Sequence, residues 1–336
     1  MAHSGVRNRP GGPPSLARAN AYFAAAVAAG WLTAPLQQRL GLAGVTVSQV
    51  LLFVVLPLLF SRGHAVRETF RLRPVSTEVV ARSLLAGGLA WVAAQGVAAA
   101  IVLGMLAVGA RPPNPYAVLL APGTPAWVLI LFMAGVPALA EEFAFRGLVL
   151  SGYRSLGPSA AWVAAGLLFG LMHMSLLRLP NLAGLGMLFA YAVQRTGSLI
   201  PAVVMHFTNN ALTLGLYLAA GRPDSVPETA SAAGPGALLW IVLGAATLPA
   251  LRAAVRGLHG PRGVRAPAAL ADGGPPPSGA ETDAAEPEAP VAVGPRTAAG
   301  PGPVVRGLED WLPLLLALPL ILPMMAAEVH QAFASG

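Results

Sequence analysis

A succession of apolar runs constrains this chain more than any other feature. Each is close to the ~20 residues that cross a hydrocarbon core as a helix. The runs lie near 20–40, 44–60, 79–108, 125–151, 159–178, 181–195, 199–220, 236–251 and 309–327. The expected fold is therefore all-α, a polytopic transmembrane helical bundle of eight or nine spans. The run at 181–195 is short for a full crossing and the one at 79–108 is long enough to tilt, so the count is given as a range. Charged residues make up only 10% of the chain, against roughly 25% in a soluble domain, which argues against a water-soluble globule. With no Cys, disulfides, thiolate metal sites and cysteine nucleophiles are excluded.

The formal net charge of +7 reads as a topology signal, because basic residues favour short cytoplasmic loops. Arg7, Arg9 and Arg18 precede the first run; Arg62, Arg67, Arg71 and Arg73 follow the second. Arg154, Arg195 and the group Arg252, Arg256, Arg262 and Arg265 fall on the same side if there are nine spans, leaving Arg39, Arg111, Arg178 and Arg222 opposite. The basic side is taken as cytoplasmic, the protein as a multi-pass cell-membrane protein in contact with the lipid bilayer, and a nucleic-acid partner is not expected. The expected organisation is a cytoplasmic tail over 1–19, a transmembrane core over 20–251, a linker over 252–307 and a hydrophobic segment over 308–336. A cleavable signal peptide over residues 1–30 is the competing reading of the start, but it removes the first span from an alternation that works with it present. The linker is rich in Pro, Gly and Ala and is expected to be disordered and cytoplasmic. Pro313, Pro319 and Pro323 interrupt the last segment, which reads as a kinked or loosely attached span without chemistry.

Between Glu78 and Asp224 the only acidic residues are Glu141 and Glu142, and between His64 and His259 the only histidines are His173 and His206. All four sit inside apolar runs. Ionisable groups at the bilayer centre cost ~2.5–3.5 kcal/mol each on the insertion scale, so they usually face a protein interior and carry function. Depth gives a test. At 1.5 Å per residue, Glu141 lies ~15 Å from the cytoplasmic end of its run, His173 ~21 Å, and His206 and Asn210 ~10 and ~16 Å. These groups can meet in one layer. Glu142 and Arg146, four apart, share a helical face as an ion pair, as do His206 and Asn210. Pro137 removes a helical hydrogen bond one turn before Glu141, and Gly170 allows a close helix approach.

The string Glu141-Glu142-Phe-Ala-Phe-Arg146 matches EExxxR, Phe169-Gly-Leu-Met-His173 matches FxxxH, and His206-Phe-Thr-Asn-Asn210 matches HxxxN. In this order and spacing, over roughly 125–215, the chain resembles the CPBP intramembrane proteases, which include the type II CAAX prenyl endopeptidases and bacterial relatives linked to bacteriocin processing or self-immunity. The resemblance implies hydrolysis of a peptide bond in a membrane-bound peptide or protein. Carried over by position, Glu141 is the general base that activates a water and His173 holds it. His206 and Asn210 stabilise the oxyanion on the scissile carbonyl. Arg146, paired with Glu142, holds the site geometry, and Phe169 supports the helix that carries His173. Family members have been described as metal-dependent and as metal-free, so the implied cofactor is either Zn2+ or none. Glu141, His173 and His206 would form the zinc set, with a fourth position open.

Blander readings stand beside these. Glu142–Arg146 reads as a structural pair, Phe169 as packing, a lone membrane His as a satisfied core residue, and Arg154 and Arg195 as topology anchors. Asn209 competes with Asn210, and spacing favours Asn210. A rhomboid-type GxSxG is absent, and no Asp precedes Asp224 to serve an aspartyl protease. The alternatives from other classes are a polytopic transporter or channel, which would show inverted repeats or paired broken helices, and a non-catalytic scaffold or immunity protein.

Overall fold

The structure is a computed structural model that describes residues 12–110, 123–219, 235–259 and 307–334. Most of the expected linker, 260–306, lies outside the described residues, as do residues 1–11 of the expected tail. The described residues are helical and turn-forming, with no strand among them. Among the described residues nine main helices coincide one for one with the nine apolar runs: α1 (Leu16–Leu40), α2 (Leu42–Phe60), α3 (Thr77–Ala107), α4 (Ala126–Leu156), α5 (Pro158–Met172), α6 (Leu179–Thr196), α7 (Ile200–Ala219), α8 (Pro235–Arg256) and α9 (Leu308–Ala334). Among the described residues, five of these are long and apolar enough to cross a membrane, namely α2, α3, α4, α8 and α9, and α5 is a shorter apolar helix. The expected count of eight or nine is thus not reached on length and hydropathy alone. Helices α1, α6 and α7 carry Gln37 and Gln38, Asn181 and Gln194, and His206, Asn209 and Asn210, which lower their mean hydropathy.

Local chemistry sets the helix starts. The Ser15 and Ser76 side chains cap α1 and α3 by accepting from the backbone N–H of Arg18 and Val79 at 3.2 and 3.4 Å, satisfying donors that a helix N-terminus leaves orphaned. Pro158 opens α5, where its missing N–H is no loss.

Helix α4 is the centre of the bundle and touches α1, α2, α5, α6 and α7. Outside this group α3 packs on α7, α8 packs on α3, and α9 packs on α1. Small residues set the closest crossings. A Cβ on Gly186 would lie 2.9 Å from the Gly166 Cα, so the α5 and α6 backbones touch there. A Cβ on Gly170 would lie 3.0 Å from the Ala183 backbone nitrogen, which is the close approach expected of that glycine. Leu85, Leu139, Leu238, Val242 and Leu316 are exposed on the outside. In a helical bundle whose backbone groups are satisfied internally, such a surface suits lipid.

Two expectations change. The run at 159–178 is not one helix: α5 ends at Met172, His173 closes it, and Met174 has φ 51°. A non-glycine residue in the left-handed region stops the helix, so His173 stands at a helix end rather than within one. The last segment is not loosely attached. Helix α9 runs unbroken through Pro313, Pro319 and Pro323 and buries Ala317, Ile321 and Met325. Asn20 donates to the Asp310 carbonyl at 2.7 Å and Trp31 to the Leu320 carbonyl at 3.2 Å. The carbonyl that Pro323 leaves without a helical N–H is that of Pro319, so the Trp31 donor reaches the residue next to it, in the stretch where the ladder is loosened.

Candidate active site

The two adjacent carboxylates lie between two wide π turns of α4, Ile130–Gly135 and Phe143–Val149. Pro137 follows the first of them, so the loosening expected there takes the form of a π turn. Such turns shift the helical register, which re-aims side chains and is frequent at functional sites. Here the neighbours diverge: Glu142 points into a packed ionic cluster, while Glu141 borders two cavities.

Glu142 and Arg146 are fully buried. Their side chains meet at 2.9 Å, Nε to Oε2, as the four-residue spacing predicts. Glu142 Oε1 also lies 2.8 Å from His206 Nδ1, joining α4 to α7. Arg146 Nη2 donates to the Gly186 carbonyl at 3.0 Å, a contact that the glycine crossing of α5 and α6 makes reachable. Its guanidinium carbon stands 4.5 Å from the Phe169 ring centroid and 5.4 Å from that of Phe189, within cation–π range. Phe189 also stacks on His206 at 5.5 Å, and Phe169 meets His206 edge-on at 5.8 Å. Phe169 is therefore more than filler: it touches Arg146, His206 and His173 at once. From the loop before α3, Arg71 donates to the Arg146 carbonyl. Burial, then the neighbouring Arg154 and Arg73, bring the Arg71 pKa down to about 10, which leaves it a charged donor at neutral pH.

Hydrogen bonds fix the two imidazoles. His173 Nδ1 is 2.9 Å from the Phe169 carbonyl. A carbonyl only accepts, so Nδ1 carries the proton and a neutral ring presents the Nε2 lone pair. His206 gives its Nδ1–H to Glu142, so Nε2 is again the free nitrogen. Glu141 Oε1 accepts from Gln49 Nε2 at 3.0 Å, which links α2 to α4.

Glu141, His173, His206 and Asn210 border one cavity of about 260 Å³, whose wall also includes Phe169, Phe189 and Asn209. The common layer expected from helix depth is thus a common cavity. A second cavity of about 420 Å³, between α1, α2, α4 and α9, is bordered by Gln37, Gln38 and Gln49. Glu141 and His173 line both cavities, so this pair forms the partition between them. Asn209 and Asn210 both reach the first cavity. Asn209 Nδ2 donates to Asn210 Oδ1 at 3.3 Å, which leaves the Asn210 amide nitrogen as the outward donor.

A zinc site would need three ligand side chains in one group. Among the described residues no three His, Asp or Glu side chains are grouped to hold a metal ion. Glu141 is held by Gln49, and His173 and His206 bond through Nδ1 to the Phe169 carbonyl and to Glu142, so each imidazole keeps its Nε2 open.

Three contributors escaped the sequence reading. Gln49 carries a signal, as an amide within the apolar run 44–60. Phe189 and the Gly186 carbonyl carried none, since both act through contacts between α4 and α6.

Residues 122–212 match the family model described as Type II CAAX prenyl endopeptidase Rce1-like. This agrees with the family that the three motifs resemble and covers all of them. No curated protein and no solved structure matches the chain.

Proposed function

We propose that this protein is an intramembrane endopeptidase that hydrolyses a peptide bond of a membrane-associated peptide or protein by water attack. The observation that carries this reading is the joint presence of Glu141, His173, His206 and Asn210 on one cavity wall, within the segment that matches a prenyl endopeptidase family.

The hydrogen bonds support a role for each group. His173, its Nδ1–H tied to Phe169, accepts one hydrogen of a water at Nε2. Glu141 takes the other proton, and the resulting hydroxide attacks the scissile carbonyl carbon. The electrons pushed onto the carbonyl oxygen are met by the Asn210 amide donor and by His206 Nε2 when that nitrogen carries a proton. Fixed donors in a site that excludes bulk water serve this purpose well. The C–N bond then breaks, and Glu141 returns its proton to the leaving amine. Gln49 keeps the Glu141 carboxylate aimed across the partition. Glu142, Arg146, Phe169 and Phe189 hold His206 and the helix crossing. Orientation follows from the Arg distribution: the chain start and the 252–307 stretch face the cytoplasm.

The test is cleavage of a membrane-embedded peptide library by the protein reconstituted in liposomes, comparing wild type with Glu141→Ala and His173→Ala, each with and without chelator. The reading predicts products from wild type only, unaffected by chelator. Equal cleavage by the variants would overturn the assignment, and zinc-restorable loss on chelation would overturn the water-and-glutamate route.

A further inference from the structure

Helix α9 follows the catalytic segment after a long interval and lies outside the matched residues 122–212, yet it reaches the loop that carries His173. That loop, 173–178, joins α5 to α6 and begins with His173 and the positive-φ Met174. Its own bonds are few. His173 and Met174 N–H groups close the last turn of α5 onto Gly170 and Leu171, and the Arg178 N–H donates to Ser175 Oγ at 3.1 Å. The middle of the loop is held from outside by one carboxylate on α9. Ser175 Oγ donates to Glu328 Oε1, and the Leu177 N–H donates to Glu328 Oε2 at 3.3 Å.

We infer that Glu328 is a positioning residue for His173, and that α9 is a built-in clamp on the site rather than a spare span. This inference rests on the proposed hydrolysis. The chemistry of the bonds supports it. A hydroxyl has one proton, so giving it to Glu328 turns the Ser175 lone pairs toward the Arg178 N–H that begins α6. The second carboxylate oxygen takes the Leu177 N–H, so one acidic side chain ties down two donors of the loop just before α6, near a helix start where negative charge is favoured. His173 is two residues from Ser175, and its ring must keep Nδ1 on Phe169 for Nε2 to face the cavity. A loop released at Ser175 and Leu177 lets His173 leave that pose. Helix α9 is in turn anchored at its other end, by Asn20 and by the edge contact of Trp311 with Tyr153 at 6.2 Å. Its Met324 lines the amide-bordered cavity behind the Glu141–His173 partition.

Glu328→Gln in the full chain tests this. An amide keeps one acceptor oxygen but turns a donor toward the Leu177 N–H. Hydrogen exchange of the Leu177 amide in liposomes is expected to rise at least about tenfold, as for loss of a charge-assisted hydrogen bond. The kcat on the best library peptide is expected to fall with KM unchanged. Glu328→Asp, which keeps both oxygens, restores part of each, whereas Glu309→Gln on the exposed first turn of α9 changes neither. Ser175→Ala combined with Glu328→Gln loses no more than the worse single variant. Unchanged exchange at Leu177 in Glu328→Gln overturns the clamp, and so does changed exchange with wild-type kcat. If wild type cleaves nothing, the hydrolytic reading fails while the exchange measurement still decides whether α9 holds the loop.

Discussion

Replacing Arg146 by Met is the most informative perturbation of the buried cluster, because Glu142 has no water to fall back on. Both side chains are 0% exposed and touch at 2.9 Å. Removing one partner of a buried ion pair leaves an uncompensated charge and costs about 3–5 kcal/mol. The Gly186 carbonyl also loses its charged donor, at 3.0 Å, a bond worth ~1.5–3 kcal/mol. The two figures overlap, since the stranded charge already includes part of the lost bonding, so the expected loss is about 4 kcal/mol, or roughly a thousandfold in the unfolding equilibrium. Reversible unfolding by SDS titration in mixed micelles reads this directly. The double variant Glu142→Gln with Arg146→Met strands no charge, and its amide oxygen still accepts from His206 Nδ1. It should recover at least about half of the loss, because neutral groups replace a buried pair at small cost. A single variant that loses less than ~1 kcal/mol, or a double variant no better than the single, would refute the view that Glu142 is dry and depends on Arg146.

Other outcomes follow from the same geometry. Gly186→Val places new atoms at a point 2.9 Å from the Gly166 backbone; it should force α5 and α6 apart and abolish cleavage, whereas Gly184→Val, at a position with nothing within 4 Å, should leave both stability and cleavage near wild type. Gln49→Leu removes the donor on Glu141 and should lower kcat by about tenfold, the scale of one hydrogen bond to a charged group; wild-type kcat would show that Glu141 needs no such support.

Much of the fold was legible because lipid imposes a simple rule. An apolar run near twenty residues has few options but a helix, and all nine runs became helices with ends shifted by a few residues. The misreadings occur where apolar character outlasts the helix. Met174, Leu176 and Leu177 look like a continuation of α5, yet a left-handed residue and the Ser175 turn end it. In α9 the prolines suggested an interruption, but packing on α1 and donors such as Trp31 carry the helix through. At the site, Glu141 and Glu142 as the only acids, and His173 and His206 as the only histidines, of a long apolar stretch were enough to bring them together, and Glu142–Arg146 followed from spacing. The supports were not legible because they cross long intervals: Gln49 is 92 residues from Glu141, and Ser175 is 153 from Glu328. No local pattern announces such pairs.

The central claim is that the Glu141 carboxylate takes a proton from water inside this bundle. Glu141→Gln tests it most directly, because the amide keeps the size and the cavity wall but cannot act as a base. With purified protein in liposomes and one identified peptide, the product is quantified by mass spectrometry. The account predicts that Glu141→Gln binds the peptide with wild-type affinity and forms product at least about a hundredfold more slowly, the lower bound for losing a positioned base. Product formation by Glu141→Gln at the wild-type rate would contradict it.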